Sequence, residues 1–345
     1  MKNYWLASSL SAAFGVLLMA VLVPGATRLW QYSAPQSQVY YNDPGLAAVI
    51  TFKNQPTPAP VPESELLQLI FVGDMMLDRG VAGQVRARGG DYGWLFEEVG
   101  DLAMADLSFG NLEGPVSNKG KDRGGRYSFR MEPAALDAIK GAGFDVLSVA
   151  NNHAGDWGAV AFVDTLERLR KLGLVATGGG FDYQDATSVK VLERGGYKLG
   201  FLSATDVGPK WLAAGDDRPG IILASDPSLA DLIGQAAREV DVLVVSFHFG
   251  EEYQTEPSLR QRELARLAID RGAKIVIGHH PHVTQGLEYY RNGLIAYSLG
   301  NFIFDQNFSE ETMRGLVLYV SLDNGVVATA NTRAINLNHG FQPSF

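Results

Sequence analysis

Asp74, Glu113, Asn152, His153, His248, His280 and His282 are the residues of this chain whose types and placement suggest chemistry. Each follows a short apolar run. Phe71-Val72-Gly73 leads into Asp74, Phe109-Gly110 into Asn111-Leu112-Glu113, and Val149-Ala150 into Asn151-Asn152-His153. Val245-Ser246-Phe247 leads into His248, Ile277-Gly278 into His279-His280-Pro281-His282, and Leu299-Gly300 into Asn301. If these runs are strands, the polar residues gather at their carboxyl ends, where α/β sheets bind ligands. Five of the six histidines stand there, and only His339 stands elsewhere. A single histidine would be read as a core or surface residue; five at strand ends read as a metal site. Hardly any Lys or Arg accompanies them, so the set is not a phosphate cradle. Imidazole and carboxylate ligands without sulfur suit Mn, Fe or Zn better than Ca or Mg.

Roles follow from chemistry. Asp74 and Glu113 can neutralise one or two divalent transition-metal ions, and one of them can bridge a pair. His280 and His282 fall on the same side of an extended segment. Metal ions generate hydroxide and stabilise charge on a substrate oxygen. The expected ligands are Asp74, Glu113, Asn152, His248, His280 and His282. With Asn152 on the metal, His153 is free to act as acid, base or oxyanion donor. Asp156 either orients that imidazole or caps a following helix; we place it with His153 as a catalytic residue. Arg123, Arg126 and Arg130 form the most basic stretch near a motif, either a carboxylate clamp or a solvated loop. Arg126, Arg130 and Asn301 are the candidate substrate contacts. Glu251 and Glu252 read as partners behind the ligands. Trp157, Phe162 and Tyr289-Tyr290 read as packing. Gly178-Gly179-Gly180 lacks the Lys-Ser/Thr of a phosphate loop.

These residues need a scaffold, and the chain is long enough to build one. It has 345 residues, 46% hydrophobic and 19% charged, which describes a globular chain rather than a disordered one. A net charge of −9 excludes nucleic acid as the main partner. The absence of cysteine excludes a disulfide framework, a thiolate metal site and a cysteine nucleophile. Leu69–Val72, Leu107–Phe109, Asp145–Val149, Leu199–Ser203, Val240–Phe247, Lys274–Ile277 and Leu294–Leu299 read as strands. Helical patterns separate several of them: Pro133–Lys140, the series Phe162, Leu166, Leu169 and Leu172, and Leu259–Arg271. Gly315–Leu322 and Val326–Thr332 flank Asp323-Asn324-Gly325, a hairpin signal.

Ahead of this body, Trp5 to Val23 carries no charge, with Lys2 before it and Arg28 after it. Such a stretch can span a bilayer; a cleaved signal peptide is the rival reading. Either places the rest of the chain outside the cytoplasm. The tract Gln55-Pro56-Thr57-Pro58-Ala59-Pro60-Val61-Pro62 reads as a semi-rigid spacer, with Ala47–Phe52 as an edge strand or part of a tether. The expected organisation is an anchor or signal over 1–30, a Pro-rich linker over 31–65 and a catalytic-type domain over 66–338.

Taken together, Gly73-Asp74-Met75-Met76-Leu77-Asp78-Arg79, Gly110-Asn111-Leu112-Glu113, Ala150-Asn151-Asn152-His153-Ala154-Gly155-Asp156-Trp157-Gly158, His248-Phe249-Gly250-Glu251-Glu252-Tyr253, Gly278-His279-His280-Pro281-His282 and Tyr297-Ser298-Leu299-Gly300-Asn301-Phe302 resemble the CapA family of capsule or poly-γ-glutamate synthesis proteins, itself similar to the calcineurin-like metallophosphoesterases. The resemblance covers about residues 67–310. It implies an α/β fold, a four-layer α/β/β/α sandwich of the metallophosphoesterase type, preceded by an N-terminal transmembrane helix. It also implies a single-pass membrane protein with an extracytoplasmic domain, working with other membrane-bound capsule synthesis subunits on an anionic polymer. A γ-glutamyl amide is then the bond to cleave or transfer; a small phosphoester substrate and a non-catalytic accessory role are the alternatives. Two positions depart from the superfamily pattern. Its opening Asp-x-His is here Asp74, Met75 and Met76, and Asn111 stands where an Asp is usual. These departures leave one ion or two open, with His279 competing with His280 as ligand.

The full-length protein is expected to fractionate with membranes. Intact mass of the mature chain separates the two N-terminal readings: a mature N-terminus near Thr27 would show cleavage and refute the anchor.

Overall fold

The computed structural model describes residues 66–345 together with two short strands, Gln38–Tyr40 (β1) and Val49–Ile50 (β2). The expected anchor over 1–30 lies outside the described residues. Among the described residues, no helix is long and apolar enough to cross a membrane.

The apolar runs become two sheets. Leu67–Met75 (β3), Leu107–Leu112 (β4), Val146–Ser148 (β5) and Val175–Thr177 (β6) lie parallel and side by side. Gly179–Gly180 (β7) follows as half of a small separate pair. The second sheet begins with the hairpin Lys190–Arg194 (β8) and Tyr197–Thr205 (β9). Gly220–Ile221 (β10) completes the small pair with β7. Val242–His248 (β11), Ile275–His279 (β12) and Gly293–Ala296 (β14) continue the second sheet in parallel from β9, and Leu287–Tyr290 (β13) joins β14 antiparallel. The chain then returns to the first sheet. Asn301–Ile303 (β15) pairs parallel with β3. Arg314–Asp323 (β16) and Val326–Leu337 (β17) add an antiparallel hairpin beside β3, and Pro343–Ser344 (β18) closes the edge.

The period-2 alternation of strand side chains sorts this sheet pair into layers. In β3, Leu69 and Phe71 point between the sheets, where they meet Phe109, Phe201, Val244, Ile275, Ile277 and Leu318. Ile70 and Val72 point the other way. They pack on the helices Arg79–Ala87 (α1), Ala134–Gly141 (α2) and Gly158–Lys171 (α3), and on the 3₁₀ segment Tyr92–Met104, through Val85, Ile139, Phe162 and Phe96. On the far face of the second sheet, Tyr183–Thr187 (α4), Leu229–Glu239 (α5) and Leu259–Asp270 (α6) supply Ala186, Ile233 and Leu264 against Leu202, Leu243, Val245 and Val276. Helices thus cover the outer face of each sheet, and the inner faces share one apolar core. Burying each large side chain there stabilises the fold by about 1.5–3 kcal/mol.

Several expectations change. The run expected as one strand over Leu294–Leu299 ends at Ala296, because the chain leaves one sheet for the other. Gly300 makes the corner at φ 69°, a left-handed conformation that favours glycine. Two pieces of the expected spacer pair with the sheets: β1 with β13 and β2 with β17. Pairing of β18 carries the sheet past residue 338. The hairpin turn is as read, with Asn324 and Gly325 at φ 49° and 72°.

Glycine at 73 is a steric requirement of this frame. A Cβ there would collide with the Gly300 carbonyl oxygen, which accepts the Asp74 N–H at 2.9 Å. Gly73→Ala should therefore cost about 1–3 kcal/mol and displace Asp74. Gly83→Ala, on the open face of α1 with nothing within 4 Å of the new carbon, should be neutral or stabilising by up to about 1 kcal/mol. Denaturant unfolding of both variants checks the contrast.

Candidate metal centre

The carboxyl ends of β3, β4, β11, β12 and β15 meet at one edge of the two sheets. Asp74, the penultimate residue of β3, is fully buried there. Its Oδ1 lies 3.2 Å from His279 Nδ1, and its Oδ2 lies 3.4 Å from His282 Nδ1 and accepts the His280 N–H at 3.1 Å. Burial opposes its ionisation, but the close approach of His279 and His282 outweighs burial and holds its carboxyl well below the usual range. Glu113 follows β4 and is equally buried. Burial pushes its pKa well above the ordinary value and Asp74 adds to this, against the opposing effect of His282. Among the described residues its Oε1 has no hydrogen-bond partner, and the same holds for His280 Nδ1.

Two groups of ligand atoms form at this edge, each with all members within 4.8 Å: Asp74, Glu113 and His248, and Glu252, His280 and His282. Five of these six residues are expected ligands. Glu252 is the addition, and it alone among them is not buried. Its signal in the sequence is its position four residues after His248, which by itself suggests support behind the ligands rather than a ligand. Orphaned buried acceptors and a nitrogen–oxygen donor set fit a divalent cation.

The histidines are prepared differently. Burial keeps His248 neutral, its pKa well below the ordinary value, and the neighbouring His280 adds to this. His280 falls to about 3, through burial and then through His282. Both offer lone pairs without first losing a proton. Burial also disfavours charge on His282, but Glu113 and Asp74 overcome it and raise the pKa to about 9.

Asn152 lies against His248, its Oδ1 2.7 Å from Nε2. That pairing puts the proton of neutral His248 on Nε2 and leaves Nδ1 facing the Asn111 amide at 3.4 Å. The Asn111 nitrogen also donates to Asp74 Oδ1 at 2.8 Å and Glu113 Oε2 at 3.3 Å. Asn111 thus ties together one whole ligand group, a role that sequence reasoning misses.

His280 and His282 do not share an extended segment. Their φ angles are 99° and 57°, and a turn rather than a strand brings the rings to 5.9 Å. Left-handed backbone at two non-glycine residues is strain of the sort that functional sites hold. His279 instead lies on β12 and stacks on Phe109 at 6.2 Å, behind the ligand groups. Asn301 is buried with its amide committed: Nδ2 donates to Gln306 Oε1 and the Thr312 carbonyl, and Oδ1 lies 3.0 Å from His282 Nδ1. It orients His282 and leaves no donor for a substrate. Met76, at the position where a histidine would complete the first motif, is buried against Phe129 and Phe304.

His153 stands beside the groups, its Nε2 4.0 Å from Glu113 Oε1 and its Nδ1 2.7 Å from Asp156 Oδ2. Asp156 also accepts the Phe129 N–H at 2.8 Å. It does not cap the next helix, since α3 begins after Trp157 without a side-chain cap. Phe129 lies over His153 with the ring centroids 3.9 Å apart and the planes tilted by 30°. Arg130, half-buried, stacks on Trp157 at 3.5 Å, and Arg126 is exposed over Tyr127 at 5.3 Å.

The family described as "Bacterial capsule synthesis protein PGA_cap" matches residues 68–306. Capsule biosynthesis protein CapA of Bacillus anthracis is 36% identical over 289 residues, 81% of this chain and 69% of that protein. PGA biosynthesis protein CapA of Bacillus subtilis (strain 168) is 36% identical over 265 residues, 76% and 69% of the two chains. Among solved structures, a 5'-nucleotidase precursor from Thermus thermophilus aligns with TM-score 0.48 and 16% identity, over 81% of this chain and 56% of that one.

His282 holds a proton that a metal must displace and burial shifts Glu113 the same way, whereas burial favours neutral His248 and His280. Metal affinity should therefore rise with pH from neutrality toward about 9, as read by titration with Mn, Fe or Zn. Replacing both His280 and His282 by Ala should remove most of the bound metal. Less than about a tenth of an equivalent in the wild type, with no uptake on reconstitution, would refute the site.

Proposed function

The chain belongs to the family of bacterial capsule synthesis proteins described as PGA_cap, and from that premise we propose that it is a metal-dependent hydrolase or transferase acting on γ-glutamyl amide bonds of an anionic polymer. In this reading residues 1–30 anchor it in the cell membrane, the Pro-rich linker holds its domain outside the cytoplasm, and other membrane-bound capsule synthesis subunits are its partners. The uncharged stretch from Trp5 to Val23 supports the anchor.

The observation that carries the reading is the His153–Asp156 pair beside two ligand groups. A structural metal site has no need of an imidazole held at 2.7 Å by a carboxylate and aimed at the ligands from one side. Asp74, Glu113 and His248 would hold one ion, and Glu252, His280 and His282 a second or shared one, with Asn152 joining through its oxygen. When bound, a divalent ion supplies positive charge that polarises a substrate oxygen and acidifies water. Asp156 accepts from Nδ1 and fixes the ring. Nε2, with its lone pair free, is then the atom that takes a proton from the attacking water or amine and passes it to the leaving nitrogen of an amide, or to the leaving oxygen of an ester. Phe129 excludes water from one face of the imidazole.

A second reading has one observation in its favour. Met76 replaces a ligand with an apolar side chain packed on Phe129 and Phe304, which suits a polymer-binding accessory subunit that keeps metal for structure.

Replacing His153 by Ala should lower turnover by about 10²–10⁴-fold and leave metal content intact; His248→Ala should lower both. Assays on γ-glutamyl amides and on simple phosphate esters rank the substrates. If metal-loaded wild type cleaves neither, and His153→Ala still supports capsule formation in cells, the accessory reading replaces the catalytic one.

A further inference from the structure

Arginines in the described part of this acidic protein are mostly neutralised. Arg79 pairs with Asp305, Arg168 with Asp164, Arg194 with Asp145, Arg260 with Asp206 and Arg266 with Glu288. The loop over residues 121–130 gathers three arginines without an ion pair in one place, where the others that lack one, such as Arg88 over Trp94, stand singly. Among the described residues, Arg123, Arg126 and Arg130 find no ion-pair partner, although Asp122 lies among them and turns its carboxylate to Gly124 N and Ser128 Oγ. Each guanidinium instead lies over its own aromatic ring: Arg123 over Trp211 at 4.0 Å, Arg126 over Tyr127 at 5.3 Å and Arg130 over Trp157 at 3.5 Å. Stacking occupies the face of a guanidinium and leaves its in-plane N–H donors free, in the fork that fits a carboxylate.

The loop is fixed to the His153 site. Lys121 N donates to the Trp157 carbonyl, Arg123 N to the Asp156 carbonyl at 2.9 Å, and Phe129 N to the Asp156 carboxylate. Trp211 arrives from a distant part of the chain and packs on Gly155, where an added Cβ would come within 2.5 Å of the ring. Trp211 and Tyr127 remain 42% and 52% exposed, so these rings are open platforms rather than core.

We infer that this loop is a track for a chain bearing repeated carboxylates, engaging several residues of the polymer beside the one at His153. A single phosphate would want donors converging on one point. Three cations on three separate rings suit anions spaced along a backbone. Their uncompensated charge in a chain of net −9 keeps the acidic surface from repelling such a ligand at this place. The inference rests on the proposed anionic-polymer substrate, but it makes a claim about binding that does not need turnover.

The test is binding of size-fractionated γ-linked polyglutamate to the full-length protein, with glutamate and inorganic polyphosphate as comparison ligands. Affinity should rise with chain length and fall with salt. Arg123→Gln with Arg130→Gln should weaken the long chains by about tenfold per arginine and leave glutamate unaffected. Trp211→Ala should weaken them too, and Trp211→Phe should largely restore them. Circular dichroism and metal content confirm that the variants fold. Length-independent binding, unchanged affinity in the double variant, or stronger binding of polyphosphate at equal charge would each overturn the track. Length-dependent binding lost in the variants, without hydrolysis by the wild type, would keep the track and refute the proposed catalysis. Hydrolysis with length-independent binding would do the reverse.

Discussion

A carboxylate buried to zero exposure must be paired or lose its charge, and Asp74 is such a carboxylate. It remains ionised because groups from the other sheet close on it: His279, His282 and the His280 N–H. That convergence is the constraint around which the rest of the molecule is arranged. It requires the end of β3 in one sheet to face the end of β12 in the other. The shared core of Phe71, Phe109, Phe201 and Ile277 sets their separation. The corner at Gly300 then returns the chain to β3, where Asn301 reaches His282.

The same burial gives the ligand groups their division of labour. His248 and His280 are neutral because nearby imidazoles and the apolar surroundings disfavour a proton. His282 is raised to about 9 because Glu113 and Asp74 flank its two nitrogens and outweigh burial. Burial shifts Glu113 in the same direction, toward holding its proton. Without a cation, the positive charge of His282 offsets the negative charge of ionised Asp74. A divalent ion exchanges with the His282 proton, so metal and proton compete for one set of lone pairs.

Much of this was legible in the residues. Strands ending in Asp, Glu, Asn or His announced both the sheet ends and the ligands, because a period-2 apolar run has to stop where a polar side chain must reach a cavity. Less legible were features set by tertiary contact. Helix α1 and the 3₁₀ segment Tyr92–Met104 have weak local patterns, and packing on β3 decides them. The split between β14 and β15 was hidden because Leu294–Leu299 is mostly apolar, with Ser298 its one small polar residue, whichever sheet it serves. The turn at His280 and His282 was hidden as well, since nothing in His-Pro-His by itself dictates left-handed backbone. Glu252 and Asn111 were undervalued for a related reason: their roles depend on which neighbours surround them.

Met76 shows how a lost ligand can become a support. A histidine there would have offered a lone pair. The thioether offers bulk, and it packs in one buried cluster with Phe129 and Phe304, whose rings meet edge to face at 5.7 Å. Phe129 lies 3.9 Å from the His153 ring, and Phe304 lies 4.6 Å from the His282 ring. One apolar wedge therefore braces the proposed acid on one side and a ligand histidine on the other. Glu252, from the loop after β11, brings a carboxylate to the group that contains His282. That carboxylate alone among the six candidate donors is unburied, so an ion held by it would sit nearer solvent, where screening weakens the attraction.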